Sequence, residues 1–216
     1  TNISSHDQTT DTPTNNWCTF NSLEENVHHL GHFAEGNLEG GGKTSSYHHM
    51  GSVGTIHMTD KIYYEVYISN QPDNDFIIGI APDNYNPSSS PSGDAVVNKP
   101  GKNYNGACFS AAYNTVYYDR SSTLSLTDSV STGDIWGIAF DPATGKFWVH
   151  KNGTWFSSGN PSTGANPLVT CSNLTRDGGV PYSWTPCAGG YSAAQRMILN
   201  CGQNGTFNGN VGAGGY

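Results

Sequence analysis

From Gly133 to Gly164 the chain reads GDIWGIAFDPATGKFWVHKNGTWFSSGNPSTG, a series of apolar runs broken by compact clusters of turn formers. The run Ile135 to Phe140 meets Asp141-Pro142-Ala143-Thr144-Gly145. There proline presets φ and glycine supplies a left-handed position, so the chain must reverse. A second run, Lys146 to His150, reaches Asn152-Gly153, the strongest two-residue signal for a type I′ turn, and Thr154 to Phe156 leaves on the far side. Three antiparallel strands in meander order are predicted. Alternation puts Phe147 and Val149 on one face of the middle strand and Trp148 on the other. Most of Trp136, Phe140, Phe147 and Trp148 must then be core, because a sandwich of this size needs several large inward side chains. Trp155 stays as a candidate ligand contact.

Runs of strand length recur at Lys61 to Ile68, Phe76 to Ile80 and Ile198 to Gln203, and no segment shows helical periodicity. Only 12% of residues are charged, while Gly, Ser, Thr and Asn abound, which suits short strands and tight turns. Two long polar segments, 81–107 and 172–190, interrupt the strands. Loops above about 15 residues are uncommon in compact domains and tend to be functional. Tyr85, Tyr104, Tyr182 and Trp184 stand in these segments as large amphipathic side chains. They read either as recognition contacts or as lids folded over the sandwich ends on a satellite core.

At 216 residues the chain fits one all-β domain. Its net charge is −8 and its nine Lys and Arg are scattered, so no basic patch exists to neutralise phosphates and nucleic acid is not an expected partner. No apolar run approaches the roughly 18 residues of a membrane span. The five cysteines form no CxxC pair, which disfavours a metal cluster or a disulfide scaffold. Cys18 and Cys201 read as buried reduced thiols, and Cys171 with Cys187, flanking one loop, is the single pair to test for a disulfide.

Little else in the sequence carries chemistry. Gly42-Lys43-Thr44 has Asn37 where a phosphate-binding loop needs glycine, and Gly190-Tyr191-Ser192-Ala193-Ala194 ends on alanine where a nucleophile elbow needs glycine. Glu65 lies alone in its strand, without the close carboxylate partner a glycosidase requires, and reads as a sheet-face or edge charge. His28, His29, His32, His48, His49 and His57 include neighbours that point to opposite faces of a strand, so they are expected at solvent or an interface rather than on a metal. Asp73-Asn74-Asp75 reads as a turn. No catalytic residue, metal or cofactor is expected.

The order Gly-Asp, apolar strand, Asp, turn, Gly-Lys, aromatic strand, Lys-Asn-Gly, then a Gly-Asn-Pro loop resembles the signature of the SPRY domain. Lys61-Ile62-Tyr63-Tyr64-Glu65-Val66-Tyr67-Ile68 resembles that family's KWYWEV strand, Phe76-Ile77-Ile78-Gly79-Ile80 its IGI strand, and Ile198-Leu199-Asn200-Cys201-Gly202-Gln203 its VNFGQ strand. Trp17-Cys18-Thr19-Phe20-Asn21 and Gly36-Asn37-Leu38 are similar to segments of SPRY modules in bacteriophage tail-fibre proteins, although Ser22-Leu23 departs from their Pro-Leu.

This resemblance implies a linker over residues 1–16, following an upstream domain such as a laminin-G-like one, and an antiparallel two-sheet β-sandwich of concanavalin-like jelly-roll type over 17–216. It further implies a closing strand beyond Tyr216, so the natural polypeptide is expected to continue. The function implied is a non-catalytic binding module on a virion, in a homo-oligomeric tail fibre or adhesin that recognises a host-surface glycan or protein. Two other readings stand beside it. One is a decoration module that binds other virion proteins; the other is a polysaccharide depolymerase with carboxylates drawn from distant strands.

Overall fold

The computed structural model describes residues 16–24, 32–41, 52–74, 76–85, 99–190, 192 and 194–203. Its strands are β1 (His32–Ala34), β2 (Glu39–Gly41), β3 (Ser52–Val53), β4 (Ile62–Asn70), β5 (Phe76–Pro82), β6 (Ala107–Ser110), β7 (Thr115–Tyr118), β8 (Ser122–Ser125), β9 (Ile135–Asp141), β10 (Lys146–Lys151), β11 (Thr154–Trp155), β12 (Val169–Thr170), β13 (Trp184–Gly190) and β14 (Arg196–Asn200). They form two antiparallel sheets. The first runs β1-β2-β14-β4-β9-β10-β11, with β12 added on β10; the second runs β3-β13-β5-β6-β7-β8. The protein is therefore an all-β antiparallel sandwich, as its patterning predicts.

The meander β9-β10-β11 follows from its turn residues. Asn152 and Gly153 both have positive φ, 51° and 78°, as a type I′ turn demands. Asn152 also serves as a cap: its side chain accepts from the Ile135 amide at 2.8 Å and donates to Asp134 at 3.0 Å. At the other turn the Asp141 carboxylate accepts from the Ala143 amide at 3.0 Å, and the Gly145 amide donates to the Asp141 carbonyl at 2.8 Å with φ at +71°.

Alternation then sorts side chains between the layers. Ile62, Tyr64, Val66 and Ile68 of β4, Trp136, Ile138 and Phe140 of β9, and Phe147 and Val149 of β10 meet Phe76, Ile78 and Ile80 of β5 and Phe109 of β6 in the main core. Trp136 stacks between Phe109 and Phe156, with centroids 4.9 and 5.9 Å away. Trp148 lies on the opposite face of its strand and is also buried.

Three expectations change. Segment 172–190 is not one loop, because its last seven residues are β13, fully buried and paired with both β3 and β5. Segment 81–107 loses Ala81 and Pro82 to β5 and Ala107 to β6. The pair Cys171 and Cys187 is not bridged: both are buried, Cys171 in the main core with its sulfur on the Gly106 carbonyl, Cys187 in a separate cluster with Val53, Ala81 and Tyr85. Beyond Asn16, the linker 1–16, the residues after Gln203 that bear on a closing strand, His28, His29, His48, His49 and Asp75 lie outside the described residues.

Candidate functional site

Two cavities among the described residues lie around the Asp141–Gly145 turn, where β9 hands over to β10. One cavity of about 430 Å³ is lined by Pro142 and Ala143 of the turn, Leu174 and Pro181 of the loop that precedes β13, and Tyr182 and Trp184. A second, of about 190 Å³, sits beside the same turn and is lined by Lys61, Tyr63, Phe140, Trp148 and Pro161. Their walls are mostly apolar and aromatic with a few polar groups at the edge, the character of a ligand-binding surface.

Loop 172–183 is held in place by side chains. Asp119, itself at φ +52°, accepts from the Ser172 amide at 2.8 Å, the Ser172 hydroxyl at 2.8 Å and the Asn173 amide at 3.2 Å. Thr175 bridges Pro181, and the Arg176 amide donates to the Val180 carbonyl at 2.8 Å, closing a turn with Val180 exposed at its tip. Arg176 then pairs with Asp83 and lies over the Tyr182 ring, 5.3 Å from its centre. Burial works against the Asp83 charge, but hydrogen bonds from Ser183 and the Arg176 guanidinium outweigh it and hold the carboxyl below its ordinary range. The rim of the larger cavity is thus an ordered loop with a cation stacked on an aromatic ring.

The smaller cavity is roofed by loop 156–168. Its Ala165 carbonyl accepts from the Trp148 indole at 2.8 Å and its Gly164 carbonyl from the Lys146 ammonium at 2.8 Å. Beside it, on the outer face of the first sheet, lies a polar relay that spans three strands. Glu65 and His150 each stand opposite Gly137 in the register, one from either side. The absence of a Cβ at Gly137 makes room, since one built there would come within 2.0 Å of the imidazole Nε2.

In this relay the Gly153 amide donates to His150 Nδ1 at 3.2 Å, which places the neutral ring's proton on Nε2. Nε2 lies 3.0 Å from the Tyr63 hydroxyl, and that hydroxyl donates to Glu65 at 2.5 Å. Burial pulls the His150 pKa down to about 4 and pushes the Glu65 carboxyl up. Trp155 closes over the relay, edge-on to His150 at 4.7 Å and tilted against Tyr63 at 6.3 Å.

The five aromatic candidates therefore separate into three places. Tyr182 and Trp184 meet at the larger cavity, edge to face at 5.6 Å, and both are buried members of the main core, 7% and 1% exposed. Tyr85 is buried and packs edge-on to Tyr104 at 5.1 Å in the satellite cluster with Val53, Ala81 and Cys187, which is the lid arrangement. Trp155 covers the relay. The sequence did not single out Tyr63, Arg176 or His150, and Trp148 was read with the core aromatics; the signal for Tyr63 and Trp148 was the outward position of each in an alternating strand. Glu65, expected as an isolated sheet-face or edge charge, is instead buried in the relay.

No family model matches the chain, and no curated protein matches it. Among solved structures it is similar to a human SPRY domain, at 18% identity and TM-score 0.49, over 77% of this chain and 93% of that one. It is likewise similar to the SPRY domain of human HERC1, at 14% identity and TM-score 0.49, over 77% of this chain and 90% of that one. Stonustoxin aligns over 85% of this chain at 15% identity and TM-score 0.53, and the chain spans 27% of its length. At these identities the likeness concerns the course of the backbone, a two-layered β-sandwich.

Proposed function

We propose that this chain is a non-catalytic binding module whose recognition surface is the end of the sandwich around the Asp141–Gly145 turn. The observation that carries the reading is the pair of apolar, aromatic-walled cavities on either side of that turn, set on the rigid β9-β10 hairpin and rimmed by pinned loops. The Arg176 guanidinium, which covers the buried Tyr182 ring, and exposed Val180 form the natural contact edge of the larger cavity. Glu65 and His150 are covered and hydrogen-bonded to one another through Tyr63, an arrangement suited to holding strands in register rather than to attacking a bond.

The finer reading rests on the sequence resemblance to bacteriophage SPRY modules. In it the module belongs to a virion tail fibre or adhesin, is presented in several copies, and recognises a host-surface glycan or protein. Multiple copies convert weak single contacts into avidity. The test is binding of the purified chain to intact candidate host cells and to cells stripped of surface polysaccharide, with Tyr182→Ala and Arg176→Ala alongside. We expect binding that falls at least tenfold in both variants, and its loss on stripping marks a glycan ligand. Binding that survives stripping marks a protein ligand. No binding to any host surface overturns the adhesin reading and leaves a decoration module with partners inside the virion.

A further inference from the structure

We propose that the smaller cavity is a seat for one neutral pyranose ring, held in a slot over Ala139 on the outer face of the first sheet. This rests on the reading of that end of the sandwich as the recognition surface, and it names the ligand. Because Trp136, Ile138 and Phe140 face the core, Gly137, Ala139 and Asp141 face outward along β9. Their neighbours are bulkier. Register places Tyr63 of β4 on one side of Ala139 and Trp148 of β10 on the other, so a single methyl group lies between two aromatic side chains. One step along β9 the same groove is already full: the His150 imidazole takes the space over Gly137, and Trp155 closes over it. What stays open is the cavity of about 190 Å³ over Ala139. It is smaller than the roughly 300–1,000 Å³ of pockets for drug-sized ligands and suits a single ring.

Walls and mouth differ in chemistry. The Trp148 indole N–H is committed to the Ala165 carbonyl at 2.8 Å, and the Tyr63 hydroxyl is engaged by Glu65 and His150, which leaves ring carbon to face the slot. Lys61 and Asp141 stand at the mouth as a donor and an acceptor. Ser162 joins them from the roofing loop; its hydroxyl donates to Asn160 at 2.7 Å and keeps its oxygen as an acceptor. A pyranose has the matching halves, C–H groups that pack on aromatic rings and hydroxyls that both donate and accept. The roof adds no charge, since residues 152–170 contain no Asp, Glu, Lys or Arg, and Asn160, Ser162, Thr163 and Asn166 stand exposed on it. It is also strained. Ser157, Ser158 and Asn166 have φ of 56°, 53° and 46°, left-handed values that persist only where the surroundings impose them and that cluster at ligand clamps. A chain of net charge −8 repels acidic sugars, so the seat takes a neutral hexose.

The test titrates the whole chain with the methyl glycosides of glucose, galactose and mannose, and with methyl glucuronide, at low salt, read by saturation-transfer NMR and calorimetry. The expected result is millimolar binding of at least one neutral glycoside, about tenfold tighter than the glucuronide. Ala139→Leu, which fills the slot, is expected to abolish that binding, and Lys61→Ala, at an exposed position, to weaken it about fivefold. Should Ala139→Leu fail to fold, Lys61→Ala decides, and an unchanged affinity there overturns the seat. Binding that survives a folded Ala139→Leu overturns it as well. So does capture of N-acetylprolinamide in place of every glycoside, which makes the slot a pocket for a peptide side chain. Host-cell binding, measured on the same preparations, keeps the two readings apart. Cells bound with no glycoside binding overturn the sugar seat alone, whereas a glycoside bound with no cell binding supports the seat and overturns the adhesin reading.

Discussion

At the scale of single residues, His150 makes the most specific commitment, because a fully covered imidazole is held neutral between the Gly153 amide and the Tyr63 hydroxyl. Burial lowers its pKa to about 4, so between that value and the ordinary 6.5 the unfolded chain binds a proton that the folded chain refuses. Its contribution to stability is therefore complete above pH 6.5 and is lost as pH falls toward 4, by about 3 kcal/mol in all. Glu65 acts in the opposite sense: its raised pKa means the folded state holds the extra proton, so its part of stability grows as pH falls through that raised value. Comparing the chain with His150→Phe cancels the Glu65 part. The stability difference between the two proteins, from urea unfolding at pH 7.5, 6, 5 and 4, is expected to shift by about 2–3 kcal/mol in favour of the variant across that range. A difference that stays constant with pH would mean the ring is not held neutral. None of this was legible in the sequence, where Glu65 looked isolated, because His150, which joins it through Tyr63, stands 85 residues further along the chain and becomes a neighbour only through the shared position of Gly137.

Elements were readable where turn chemistry dictated them. The β9-β10-β11 meander could be drawn from Asp141-Pro142-Ala143-Thr144-Gly145 and Asn152-Gly153 because each cluster contains residues whose backbone requirements only a reversal satisfies. β13 could not. Its sequence, WTPCAGG, carries a proline and two glycines and has no apolar alternation, since both of its faces are covered and every residue is buried. Small residues are what the crowding permits: a Cβ on Gly190 would fall on the Gln195 side-chain amide, and one on Gly79 of the neighbouring β5 on the Ala107 carbonyl. Tyr182 and Trp184 were thus read as belonging to a single loop, whereas Trp184 opens β13 and only Tyr182 precedes it. At this scale Asn152 is the residue to remove. Asn152→Ala loses two side-chain hydrogen bonds that fasten β9 to the hairpin and leaves a Cβ-bearing residue without asparagine's tolerance at φ 51°. The expected loss is about 1–3 kcal/mol in urea unfolding, with the slope unchanged.

For the whole molecule the question is whether site and scaffold can be separated, and Trp184 and Tyr182 answer it from adjacent positions. Trp184 opens β13 in the second sheet, exchanges backbone hydrogen bonds with Met58 at 2.7 and 2.8 Å, and meets Phe140 of the first sheet edge to face at 5.0 Å. It joins the two layers, and only its rim contributes to the larger cavity. Tyr182, though buried against the same core, precedes the strand, held by Leu174 through its backbone amide at 3.1 Å and by Asn105 at its hydroxyl at 3.1 Å, with Arg176 above. Truncating a buried tryptophan removes its transfer free energy and leaves a cavity, so Trp184→Ala is expected to cost about 3–5 kcal/mol and to lower the melting temperature by about 10 °C. Tyr182→Phe, which keeps the ring and removes one hydrogen bond, is expected to stay within about 1.5 kcal/mol of the unaltered chain. Calorimetry on both variants measures the separation directly. A sandwich whose layers are tied together by Trp184 loses cooperativity in the first case and keeps it in the second, and equal costs would mean that the cavity wall and the core are one structure.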